Sequence, residues 1–441
     1  MQILQQILFV LAAAVAVFFF AKNVRAIRRN ILLGREEDRY DRPGERWKNV
    51  VLLALGQKKM FKRPMPAILH LFVYVGFVLI NIEVLEILVD GILGTHRILS
   101  SPLGGFYDFV IGFFEILAVL TLTAVIAFLI RRNVMKVRRL NMPELDGFPR
   151  RDANTILWTE VVLMTMLLTM NAAEGALRMK EGAGGGFLIS GLLSPAFSGL
   201  SEGSLHVIER VCWWGHILGI FAFLNYLPYS KHFHIILAFP NAYYTRLKPQ
   251  GEMPNMPEIQ AEVLYAMEPD KAPAVPAEGA EEPVQHRFGA KDVQDLSWKN
   301  LLDAYSCTEC GRCTASCPAN LTGKKLNPRK IMMDTRDRLE EVGKNIDKNG
   351  SFQDDGKSLL HDYITTEELR ACTTCQACVE ACPVGIEPLS IIHQLRRNLI
   401  MEESNAPGEW NAMNSNIENN MAPWKFSPDD RDAWAVELQN N

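Results

Sequence analysis

Cys307-Thr-Glu-Cys310-Gly-Arg-Cys313-Thr-Ala-Ser-Cys317-Pro318 has a partner of the same spacing at Cys372-Thr-Thr-Cys375-Gln-Ala-Cys378-Val-Glu-Ala-Cys382-Pro383. Two runs of C-x2-C-x2-C-x3-C-P are the spacing of a chain that holds two [4Fe–4S] clusters. Thiolate suits iron, and the short gaps let three sulfurs converge on one cluster from one turn of backbone. The fourth cysteine of each run then reaches the other cluster. The pattern assigns Cys307, Cys310, Cys313 and Cys382 to one cluster, and Cys317, Cys372, Cys375 and Cys378 to the other. Structural zinc is the alternative, but it has no use for a third spaced cysteine followed by a fourth and proline, twice over. Cys212 stands alone in an apolar run and reads as a small buried hydrophobe.

The 441 residues suffice for two or three domains, and a formal charge of -4 excludes a strongly basic nucleic-acid binder. Cysteines confined to the iron–sulfur pattern exclude a disulfide scaffold and point to a reducing compartment. Mean hydropathy near zero averages two unlike halves, an apolar one over residues 1–240 and a polar remainder.

Five runs, at about 3–21, 66–89, 106–130, 155–175 and 205–235, are long and apolar enough to span a bilayer. The first is followed by Lys22, Arg25, Arg28 and Arg29, the reverse of a signal peptide's charge order. Arg131, Arg132, Lys136, Arg138 and Arg139 follow the third, and Lys231 lies at the end of the fifth. An outside N-terminus with the iron–sulfur domain in the cytoplasm satisfies every basic cluster, so a multi-pass protein of the bacterial inner membrane is expected. The charged segment between Arg35 and Arg63 holds a short amphipathic stretch near Trp47 to Leu55. Glu83 and Glu86 fall near the outer end of the second span, and a Gly- and Ser-rich outer loop covers 182–203. Glu115 and Glu160 alone do not make a proton path across the spans.

Residues 241–290, rich in Pro, Glu and Ala, read as an extended linker, and 291–403 as a two-cluster helical domain. In that domain helices are expected over 295–305, from 326 to Leu339, after a Thr366 cap, and over 388–401. Residues 404–441 form a polar tail whose Trp410, Trp424 and Trp434 read either as solvated or as a strap on this chain or a partner. The fold class is all-α: a five-helix transmembrane bundle plus a cytoplasmic α-helical ferredoxin domain.

Histidine inside a span is costly unless paired or liganded, which singles out His70 and His216. His216 and His234 are 18 residues apart, five turns, so on a continuous helix they share a face about 27 Å apart. Heme b between facing helices needs neutral imidazoles on both sides of the iron. Interfacial or hydrogen-bonded structural histidines are the plain alternative.

The stretch His216-Ile-Leu-Gly-Ile-Phe-Ala-Phe-Leu-Asn-Tyr-Leu-Pro228-Tyr-Ser230-Lys231-His232-Phe-His234 resembles the last membrane helix of the cytochrome b subunit of respiratory nitrate reductases. It is also similar to the membrane subunits of heterodisulfide-reductase-like enzymes. The resemblance implies a cytochrome-b-like bundle in which His216 and His234 are heme ligands. In that family a second helix supplies two more, ten residues apart. His70 fits the cytoplasmic-side member, but the position ten residues on is Ile80. One heme b between His70 and His234 is therefore expected, and a second at His216 lacks its usual partner. The outer heme is then absent, with His216 packing or binding quinone, or it takes His206 or His96. Otherwise a single heme sits between His70 and His216 with His234 idle. The resemblance further implies menaquinone as diffusible substrate beside the heme.

The 54-residue helical insertion between the cysteine runs resembles the ferredoxin-like domain of iron–sulfur subunits of succinate dehydrogenase, heterodisulfide reductase and glycerol-3-phosphate dehydrogenase, over about 295–400. Fused relatives continue into a domain with paired CCG cysteine motifs. No such motif occurs here, so a separate cytoplasmic subunit is expected to carry it, with electron-transferring flavoprotein or a dehydrogenase as donor. The polar half has no nucleophile–base pair, dinucleotide loop or phosphate motif, so no catalytic residue is assigned. The chain reads as the electron-transfer subunit of a multi-subunit, quinone-linked oxidoreductase, with the cofactors carrying the chemistry. The alternative is a membrane anchor, assembly or redox-sensing protein with structural clusters.

Overall fold

The computed structural model describes residues 2–182, 187–272 and 287–439. Regular structure among them is helical, with two isolated bridges and no sheet. Five helices are long and apolar enough to cross a membrane: α1 (Gln2–Ile31), α2 (Pro64–Leu93), α3 (Gly105–Leu129), α4 (Phe148–Lys180) and α5 (Glu202–Tyr226). After them come α6 (His234–Tyr243), α7 (Pro257–Met267), α8 (Trp298–Ser306), α9 (Pro328–Asn349), α10 (Pro388–Arg397) and α11 (Gly408–Asn420), with short turns between.

α2 to α5 bury Ile80, Ile111, Leu117, Leu163, Leu167 and Ile217 against one another. Their outward faces keep Leu85, Phe109, Trp158 and Val207 exposed, as a lipid-facing surface requires. α4 and α5 approach closely because Gly219 has no Cβ; one would lie 2.8 Å from Leu163.

α1 runs ten residues past the expected end at 21, since nothing breaks the helix before Gly34. The basic residues there mark where the apolar stretch stops and not where the helix stops. Its last turns dock on the cysteine-bearing domain. Ile27 and Ile31 join that core, Asn30 Nδ2 donates to Tyr305 Oη (2.9 Å), and Arg29 donates to the Gly343 carbonyl (3.1 Å). Gly34 lets the chain lie against the start of α8, where a Cβ would sit 2.6 Å from the Trp298 nitrogen.

The fifth span does not continue to 235 as one helix. α5 ends at Tyr226, followed by tight turns at Leu227–Tyr229 and Lys231–Phe233. Pro228 supplies no N–H to continue the ladder, and the extended Ser230 accepts from the His232 amide (3.0 Å) to begin a new turn. His234 therefore opens α6, and His216 and His234 do not share one helix face.

The segment 241–290 is not extended throughout. Residues 273–286 lie outside the described residues; before them is α7, with Pro257 at its first turn. After them Ala290 is buried and donates to the Gln394 carbonyl (2.9 Å). α9 passes Leu339 and reaches Asn349, ended by Gly350 at φ 82°. Thr365, not Thr366, caps the next turn: its Oγ1 accepts from the Glu368 amide (3.3 Å), and Glu368 accepts from the Thr365 amide (2.9 Å). Trp410, Trp424 and Trp434 are exposed, so the tail is not strapped onto this chain by its tryptophans.

At the end of the bundle away from the cysteines, buried carboxylates are more numerous than the span pattern implies. Arg97 donates to Glu174 (2.8 Å), Asn171 (2.8 Å) and Tyr107 (3.0 Å), and Tyr107 donates to Glu86 (2.8 Å). Asp90 accepts from the Arg97 amide (2.7 Å), and Glu115 from the Ile189 amide (2.8 Å). Asp90, Glu86 and Glu115 in this way satisfy loop amides that have no backbone partner among the described residues. Residues 183–186 of the Gly- and Ser-rich loop lie outside the described residues.

Candidate functional site

The eight cysteines of the two runs fall into two groups. Cys307, Cys310, Cys313 and Cys382 line one small cavity. Burial pushes the Cys313 thiol well above its ordinary value, and the neighbouring Cys310, Cys307 and Cys382 push it further. In the other group burial raises Cys378 to about 12, with Cys372, Cys317 and Cys375 adding to it. Such thiols ionise only where a cation offsets them. Among the described residues no three His, Cys, Asp or Glu side chains converge closely enough for a single metal ion. Each group gathers four thiols, the donor set of a [4Fe–4S] cluster, and the residues fit that group.

Backbone conformation shapes both loops alike. Glu309 and Gly311 have φ 53° and 69°, and the matching Thr374 and Gln376 have φ 58° and 61°. These left-handed residues fold each loop so that amides point inward, Thr374 N–H to Cys372 Sγ (3.4 Å) for one. A Cβ at Gly311 would collide with the Arg329 guanidinium, so glycine is required there.

The first loop is tied to the membrane helices. Glu309 is buried between Lys231, just beyond α5, and Arg336 (2.8 Å) of α9. Arg329 pairs with Glu144 and donates to the Arg139 carbonyl (2.6 Å), while Arg139 donates to the Cys310 carbonyl. Arg312 donates to the Lys59 (3.3 Å) and Met60 (3.2 Å) carbonyls ahead of α2. Burial holds Arg139 down to about 10, with Cys310 opposing that shift and Arg63, Arg312 and Arg131 reinforcing it.

Beside this loop lies a mostly apolar cavity of about 410 Å³ that His70, His232, His234, Thr308, Cys310 and Arg312 help to line. The rings of His70 and His234 are 6.5 Å apart, centre to centre. That is roughly the span of two imidazoles on one metal, twice the sum of a ~2 Å metal–nitrogen bond and the ring's radius. His70 Nδ1 lies 3.0 Å from Gln57 Oε1, and His234 Nδ1 3.1 Å from the Lys231 carbonyl. Both acceptors favour the Nδ1–H tautomer and leave each Nε2 lone pair for a metal. His70 and His234 could therefore hold a metal-centred cofactor between them.

His216 is not brought to this cavity: it is 1% exposed between α4 and α5, with Nδ1 3.0 Å from the Leu163 carbonyl. His96 and His206 line a separate polar cavity of about 690 Å³ at the far end of the bundle, with Glu174, Glu209 and Arg210. Sequence reasoning gave no role to His232, whose ring is 5.4 Å from that of His234, or to Gln57. The only signal for His232 was a histidine beside an apolar helix. Gln57 gave none, because it comes from a loop before α2.

Residues 306–386 match the 4Fe-4S dicluster domain family. The probable iron–sulfur-binding oxidoreductase FadF of Bacillus subtilis is 28% identical over 98% of this chain and 61% of its own length. The EtfAB:quinone oxidoreductase of Syntrophomonas wolfei is 27% identical over 92% of this chain and 56% of its own. A probable membrane-anchored ferredoxin of Chromohalobacter salexigens is 34% identical over 34% of this chain and 24% of its own. The chain spans about three-fifths of the length of the first two relatives. No solved structure matches. The chain is a membrane-associated iron–sulfur protein with a dicluster domain, related to these oxidoreductases.

Proposed function

We propose that the chain is the electron-transfer subunit of a quinone-linked oxidoreductase of the bacterial inner membrane, with its N-terminus outside and the dicluster domain in the cytoplasm. The observation that carries this is one cavity whose wall includes both Cys310 and the paired His70 and His234. When bound, two [4Fe–4S] clusters and one heme b supply one-electron centres, and menaquinone takes or gives the electrons in the bilayer. Cys307, Cys310, Cys313 and Cys382 hold the cluster nearer the membrane. Cys317, Cys372, Cys375 and Cys378 hold the farther one, where Cys375 is exposed to a partner.

Each side chain has a positioning task in this reading. Gln57 and the Lys231 carbonyl orient the His70 and His234 imidazoles that would hold the heme, and Arg139 and Arg312 beside Cys310 would offset thiolate charge. The Lys231–Glu309 pair holds the cysteine loop against the cavity. The similarity to an EtfAB:quinone oxidoreductase supports electron-transferring flavoprotein as the cytoplasmic donor. A separate cytoplasmic subunit with CCG cysteine motifs completes the complex in this reading.

Protein prepared without oxygen should contain about nine iron, eight of them in clusters and one in heme, with about eight sulfide per chain, and show b-type absorption that a menaquinol analogue reduces. Zinc in place of iron would overturn the reading. Clusters that exchange no electrons with quinol would leave the anchor or redox-sensor role instead.

A further inference from the structure

Another cavity, of about 450 Å³, opens where α2 and α3 meet the dicluster domain, and Arg63, Arg131, Arg138 and Arg139 line it. Among the described residues around it there is no carboxylate. Arg139 is turned to the Cys310 carbonyl and Arg131 to the Met65 sulfur (3.0 Å). The side chains of Arg63 and Arg138 make no hydrogen bond or ion pair with any described residue. Gathering like charges without a counter-charge is unfavourable, and a bound anion removes the cost. Arg131 and Arg139 also border the histidine cavity, whereas Arg63 and Arg138 belong to this one.

The rest of the surroundings is apolar and faces outward. Met65 is 49% exposed at the start of α2, and Val134 and Met135 are exposed just past α3. The dicluster domain contributes Leu321, 62% exposed, from the short turn that follows Cys317. A soluble domain gains nothing by showing a leucine to water beside four arginines. The combination suits a molecule with an anionic head and an apolar body, at the level where the long apolar helices end.

We propose that this cavity binds the phosphate of an anionic phospholipid, with its acyl chains along Met65 and Leu321, and that the lipid joins the dicluster domain to the bundle. Basic pockets at the ends of membrane helices select anionic headgroups in this way. Arg63 and Arg138, which carry the proposal, do not line the histidine cavity.

The test uses the full-length protein, purified without oxygen, in native mass spectrometry with dioleoylphosphatidylglycerol, dioleoylphosphatidylcholine or inorganic phosphate added separately. Phosphatidylglycerol should bind in clear preference to phosphatidylcholine. In the Arg63→Gln/Arg138→Gln variant its affinity should fall about thirtyfold, the share of two arginines. The Arg63→Lys/Arg138→Lys variant should keep most of the affinity. Cluster absorbance checks folding, and Leu321→Asp gives the same loss from the other wall should the double variant not fold. Equal binding of the two lipids would overturn the proposal. So would a preference unchanged in the glutamine variant, or displacement of the lipid by inorganic phosphate, which would assign the arginines to a soluble anion.

Discussion

His70 and His234 face one another with their outer nitrogens already committed, to Gln57 Oε1 and to the Lys231 carbonyl. His216 likewise has its Nδ1 committed, to the Leu163 carbonyl, and differs in lying inside a packed helix pair with no histidine facing it across the cavity. His70→Ala and His234→Ala should each abolish the b-type absorption and leave sulfide and cluster absorbance unchanged, whereas His216→Ala should keep the absorption. Bands that survive His70→Ala would mean a different ligand pair. Gln57→Leu should retain the proposed heme but weaken its hold by roughly 10–100-fold, read by heme loss to apomyoglobin, because the orienting acceptor is gone. At this scale the sequence was informative where chemistry repeats in a fixed spacing, as in the cysteines. It was weaker where a role depends on a loop residue such as Gln57, and it could not separate a ligand from a hydrogen-bonded core histidine.

Elements extend beyond the apolar stretches that announce them, and their extensions join the two halves. α1 passes through its basic residues to place Asn30 on Tyr305, and the turns after α5 place Lys231 on Glu309. Hydrophobic periodicity locates a span well but says nothing about where the helix ends in water, so all five spans were legible and their ends were not. Pro228 was visible in the sequence; that it would redirect the chain and not merely kink it depended on Ser230 capping the next turn. Glu309→Gln removes the carboxylate held between Lys231 and Arg336, which keep only their longer carboxylate contacts, with Asp152 (3.7 Å) and Asp337 (3.5 Å), and should cost about 3 kcal/mol of stability. Thermal unfolding followed by cluster absorbance would measure it. Glu367→Gln, which breaks an exposed pair with Lys325, should leave stability almost unchanged in the same assay. Equal losses would mean that the buried pair is not what holds the loop.

Across the whole molecule the two cysteine groups are not equivalent. Cys310 borders the histidine cavity inside the joint between the halves, and Cys375 is exposed on the opposite group. Under the proposed function, electrons from a water-soluble donor would meet the outer group first and the inner group second, while quinol would reach the histidine cavity from the lipid side. Cys375→Ser disturbs only the outer group. It should abolish heme reduction by reduced electron-transferring flavoprotein and leave reduction by a menaquinol analogue close to that of the unaltered protein. Cys313→Ser, at the inner group, should interrupt the flavoprotein route equally, but should also disturb the heme spectrum, because its loop forms part of the cavity wall. Stopped-flow absorbance with each donor separates the two routes. If Cys375→Ser left the flavoprotein reaction intact, the donor would have to dock nearer the membrane, against the loop that Arg312 and Arg139 hold. The order of electron transfer would then start at the inner cysteines, and the exposed outer group would lose its place on the route.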